Sequence, residues 1–89
     1  MFNPAHPAEI LKETYLGPLE ISITKAAEML GVSRKHLSRF INQHVSITPE
    51  FALRLEAFTG KSALAWLTLQ MNHDLWQLKD IDLDVKAVA

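Results

Sequence analysis

The chain has 89 residues, 48% of them hydrophobic, with a formal net charge of −1 and no cysteine. That suffices for one small core near the lower size limit of unaided folding, and it excludes disulfide staples and thiolate metal sites. No apolar run nears the ~18 residues of a membrane span and no signal-peptide pattern opens the chain, which together with the missing cysteines leads us to expect a cytoplasmic protein. Scarce glycine with frequent alanine, leucine, lysine and glutamate favours helices over strands.

In chain order, Met1 to His6 contain Pro4 and precede Pro7, which predicts an extended arm. Pro7 suits the first turn of a helix, where its missing N–H is no loss. That helix is expected to run from about Pro7 to Tyr15, with Ile10, Leu11 and Tyr15 inward, and to end at Gly17-Pro18. Leu19 and Ile21 are expected to pack as the chain crosses to the next element.

Residues Ile23 to Asn42, ITKAAEMLGVSRKHLSRFIN, read as helix, tight turn and helix. Ile23, Ala27 and Leu30 share one helical face, and Gly31 can adopt the left-handed conformation that stops it. Val32 can plug the corner, and Ser33 is a good N-cap for the second helix. Leu37, Phe40 and Ile41 make the second apolar stripe. At about 100° per residue, Lys35, Arg39 and Asn42 then face away from that stripe, with Ser38 beside them and Arg34 on the first turn. This is the pattern of a helix-turn-helix.

After a short polar loop from Gln43 to Ile47, Thr48-Pro49-Glu50 is a strong helix start, combining a cap, a first-turn proline and an acid at the positive end of the helix dipole. Phe51, Leu55 and Phe58 form its buried stripe, and Gly60 closes it. Ser62 caps a fifth helix reaching at least Asn72 and as far as Leu78. It carries more apolar residues than one face requires: Leu64, Leu67, Met71 and Leu75 on one stripe, Trp66, Leu69 and Trp76 largely elsewhere. Either this helix is central and covered by the first and fourth, or the face with Trp66, Leu69, His73 and Trp76 meets the same helix of a second copy. Residues 1–78 are expected to form one helix-turn-helix domain, carrying any DNA-binding and dimerisation surface, and 79–89 a tail of alternating Asp and apolar residues that either frays or adds as an edge strand or clamp to a partner.

The net charge is unlike that of a nucleic-acid binder, yet between Val32 and Ile47 the charges are Arg34, Lys35 and Arg39 with no acid. A short cationic helix of this kind fits the major groove, where Arg and Lys bond guanine N7 and O6, and Asn bonds adenine. Base contacts are assigned to Arg34, Lys35, Ser38, Arg39 and Asn42, and phosphate contacts to Ser33, Gln43, His44, Ser46 and Thr48. Blander roles remain for several: Ser33 as an N-cap alone, Asn42 as a C-cap, His44 as a spectator. One subunit reads few base pairs, so a homodimer on a palindromic operator, with half-sites about 34 Å apart, is expected.

In order, HPAEILKE, the helix-turn-helix, ITPEFALRLEAFTG and AWLTLQMNHDLW resemble the HigA-type antitoxins of the Cro/C1 (XRE) helix-turn-helix class, over roughly His6 to Trp76. The resemblance implies an all-α, five-helix, lambda-repressor-like fold. It implies a homodimer that represses its own operon and binds a HigB-type toxin, a RelE-like mRNA endonuclease. It also admits a stand-alone regulator. The chain departs from the family at Ala8, where glycine is usual, at Thr68, where asparagine is common, and at Gln43-His44, where a glycine and a basic residue are commoner. An enzyme is not expected: His6, His36, His44 and His73 lack metal-ligand spacing, and no glycine-rich phosphate loop is present. No cofactor or metal is implied. Near-neutral charge favours one rival, a protein-interaction module that keeps the motif as scaffold.

Overall fold

The computed structural model describes residues 3–88, so the expectations for Met1 and Phe2 in the arm, and for Ala89 in the tail, lie outside the described residues. It has five helices and, among the described residues, no strand: α1 (Pro7–Ile10, continued by the π-helical segment Leu11–Leu16), α2 (Ile23–Leu30), α3 (Arg34–Ile41), α4 (Pro49–Thr59) and α5 (Ala63–Gln77). The expected all-α architecture is the one found.

Local chemistry explains where the helices begin and end. Ser22, Ser33, Thr48 and Ser62 each accept the backbone N–H three residues on, at 3.1, 3.0, 3.2 and 3.1 Å. Each satisfies one of the free donors at a helix start. Gly31 and Gly60 end α2 and α4 with φ of 73° and 83°, where a side chain would be strained.

The first helix departs from expectation. After Ile10 the chain widens, and Gly17 N–H reaches Lys12 O at 2.8 Å, five residues back. Residues five apart then stack, so Leu11 and Leu16 both enter the core, which an α-helix would turn well apart. Of the two crossing residues, Ile21 packs against the core, but Leu19 is exposed. His6 caps α1: buried, it accepts Ala8 N–H on Nδ1 at 2.9 Å.

Helix α4 lies along α5, α2 packs on α3 and α4, and α1 packs on α3 and α5. Leu11, Leu37, Phe40, Leu55 and Trp66 are wholly enclosed at the centre, with Ala26 and Ala52 allowing close approach of α2 and α4. Phe40 and Phe51 meet edge to face at 5.1 Å.

The orientation of α5 takes Trp66 out of the face considered for a second copy. Trp66 is 0% exposed, and its Nε1 donates to Thr59 Oγ1 at 3.2 Å, so it serves its own core and is unavailable to a second copy. Leu69 packs against the same core, and His73 and Trp76 are half-buried on that side. Of the stripe Leu64, Leu67, Met71 and Leu75, Leu67 packs against the core, whereas Leu64 is 74% exposed and Leu75 63%, with Met71 and the C-cap Leu78 along the same outer line. Trp66 takes the inward position together with Leu67 and Leu69, and its bond to Thr59 lets the large ring leave water without stranding its N–H. Beyond Gln77, residues 79–88 carry neither helix nor strand and are exposed.

Candidate nucleic-acid interface

Helix α3 is held from beneath by Leu37 and Phe40, both 0% exposed, with Ile41 packed beside them. Its opposite face presents Arg34, Lys35 and Arg39 to solvent. Among the described residues the ion pairs are Arg54–Glu50, Lys79–Asp80 and, when the histidine is protonated, His73–Asp74. The three cations of α3 are therefore free of protein acids and available to an anionic partner.

Ser38 and Asn42 lie on the flank of this face and are tied together. Asn42 Nδ2 donates to Ser38 O at 2.9 Å and approaches Ser38 Oγ at 3.5 Å. Asn42 thus closes the end of α3, leaving its carboxamide oxygen and one N–H for an external partner. Ser33 and Thr48 hold the first turns of α3 and α4, and their hydroxyls accept N–H groups within the protein. Both line a groove between those two helix starts, with Val32, His36, Glu50, Phe51 and Arg54. His44 and Ser46 are exposed in the loop.

Gln43 differs from the rest. Its φ is 63°, and His44 N–H bonds back to Arg39 O at 2.8 Å, the arrangement in which helices usually end on glycine. Its side chain turns toward Glu9, with Nε2 3.5 Å from Oε1.

Two supporting residues had faint sequence signals or none. Gln70, 6% exposed, accepts Ile47 N–H on Oε1 at 3.2 Å and anchors the loop after α3; its only signal was its place one turn beyond Trp66. Arg54 Nη1 donates to Leu30 O at 3.0 Å, across from α4 to the end of α2.

These elements are those of a known family: the helix-turn-helix profile matches residues 11–67. The chain belongs to the helix-turn-helix family. Within it, virulence-associated protein A of Dichelobacter nodosus is 45% identical over 76 residues, covering 84% of this chain and 74% of that protein. Antitoxin HigA-1 of Vibrio cholerae is 35% identical over 78 residues, covering 88% and 73%. The Pseudomonas aeruginosa antitoxin HigA, solved with the higBA promoter, superposes with a TM-score of 0.83 at 27% identity, covering 97% of this chain and 99% of that one. The likeness to HigA-type XRE antitoxins thus holds for sequence and for structure. This is a family of DNA-binding regulators and antitoxins, not a known enzyme class. As a member of it, the chain carries Gln43 at the left-handed position that glycine fills most easily. No described helix is long and apolar enough to cross a membrane.

Proposed function

We propose that this protein is an antitoxin that represses its own operon as a homodimer on a palindromic operator and neutralises a HigB-type mRNA endonuclease. One observation carries the reading: the charges α3 exposes are all cationic while Leu37 and Phe40 beneath it are wholly enclosed, in a chain matched along its length to a HigA solved with promoter DNA. Arg34, Lys35, Ser38 and Arg39 read base edges, and Asn42 contributes with its free carboxamide atoms. Ser33, Thr48, His44 and Ser46 contact phosphates, and Gln43, turned to Glu9, is the weakest of that set. Pairing uses the outer stripe of α5, Leu64, Met71, Leu75 and Leu78, in place of the Trp66 face, since an exposed apolar line of this length is what a second copy can cover. Residues 1–78 carry both activities and the tail is separable from them.

The test is a gel shift of the full chain on the DNA upstream of its own reading frame. Specific binding with log K falling against log salt at a slope of about −4 to −5 is expected for a dimer neutralising ~4–6 phosphates. No binding at low salt would leave the motif as scaffold for protein contacts and refute the proposal. Co-expression with the adjacent reading frame separates antitoxin from stand-alone regulator: an antitoxin restores growth halted by that product.

A further inference from the structure

The turn that aims α3 is held from outside. At the end of α2, Gly31 N–H bonds Glu28 O at 3.2 Å and Val32 N–H bonds Ala27 O at 3.1 Å. The carbonyl of Leu30 accepts instead from Arg54 Nη1 at 3.0 Å, a bond spanning 24 residues. A helix end leaves its last carbonyls without partners of its own, and a guanidinium there also meets the negative end of the helix dipole. Arg54 is itself steadied by Glu50 one turn earlier, Nε to Oε1 at 3.2 Å. The guanidinium lies so close to the turn that a Cβ at Gly31 would come 2.8 Å from Nη1.

We infer that Arg54 is a positioning residue for DNA reading: it ties α4 to the α2–α3 turn and so sets the angle of α3, without itself touching DNA. The inference rests on the DNA-binding reading above. An eight-residue α3 is about 12 Å long, so a tilt of about 10° at the turn moves its far end by about 2 Å. A base-edge hydrogen bond does not survive such a shift, whereas attraction to phosphates hardly changes. Arginine suits the post because one rigid fork reaches Leu30 O and Glu50 together, which a lysine ammonium on a flexible stem does not.

The competing role is plain phosphate binding, since the Arg54 side chain is 41% exposed. The two are told apart by titrating the full-length wild type, Arg54→Ala and Arg54→Lys against the upstream duplex and a scrambled duplex over a salt series. Positioning predicts a loss of about tenfold on the upstream duplex, less than twofold on the scrambled one, and an unchanged salt slope. Arg54→Lys should fall with Arg54→Ala, and it carries the test alone if the alanine variant does not fold. Recovery in Arg54→Lys, equal losses on both duplexes, or a slope flatter by about one in Arg54→Ala overturns the inference in favour of a phosphate contact. Variants indistinguishable from wild type overturn it while leaving the DNA reading intact. A wild type without preference for its upstream duplex overturns that reading and this inference with it.

Discussion

Helices α3 and α5 each bury one face, yet they divide their surfaces in opposite ways. On α3 the buried stripe is apolar and the exposed face is polar and cationic, so sequence periodicity alone orients it. On α5 both faces are apolar, and the exposed one holds Leu64, Met71, Leu75 and Leu78. The contrast shows that period locates a helix but orients it only when one face is unfit for burial. A helix with two buriable faces is turned by whichever side chain the rest of the core accepts, here Trp66.

The sharpest way to break this comparison is to remove the residue that turns α5. Trp66→Ala should destabilise the chain by about 3–5 kcal/mol in urea unfolding, through lost burial and the cavity left behind. Substituting Leu64 and Leu75 by serine should leave monomer stability within about 0.5 kcal/mol, while sedimentation reports loss of the dimer. Equal effects from the two sets of changes would mean the faces are not distinct.

The next effect is on α3. Arg39→Ala should weaken binding to the upstream duplex by about 1–3 kcal/mol with an unchanged melting temperature, because the side chain stands clear of the core. A variant that binds like wild type removes Arg39 from the interface.

A smaller effect concerns His6, which joins α1 to α5. Its ring meets that of His73 edge to face at 4.7 Å. Burial, then the neighbouring His73, lower its pKa from 6.5, with Asp74 and Glu9 opposing. The unfolded chain then takes up a proton that the folded one resists, so this stability is present above pH 6.5 and is lost as pH falls below that value. Protonation also removes the Nδ1 lone pair that caps α1. His6→Asn, which keeps a capping oxygen and does not titrate, should flatten stability against pH between 7 and 5 (about 1 kcal/mol from the cap). Unfolding curves in urea at several pH values check this, and an unchanged acid limb would sink it.

The smallest change sharpens the end of α3. Gln43→Gly should raise stability by about 0.5–1 kcal/mol, since a φ of 63° strains a glutamine and not a glycine. A loss of stability would instead assign more weight to the Gln43–Glu9 approach.

Much was legible in the residues themselves. The hydroxyl caps at Ser33, Thr48 and Ser62, the stops at Gly31 and Gly60, and the outward cations of α3 obey short-range rules, because each depends on neighbours within a turn or two. Three features depended on residues distant in the chain and were not legible. They are the widening of α1 that sends both Leu11 and Leu16 inward, the rotation of α5 about Trp66, and the bond from Arg54 to Leu30 O. Local sequence determined which segments are helical and which face of α3 could meet an anion. Only tertiary packing decided how α5 is turned and what braces the recognition helix, because burial and long-range hydrogen bonds are settled by competition among all elements at once.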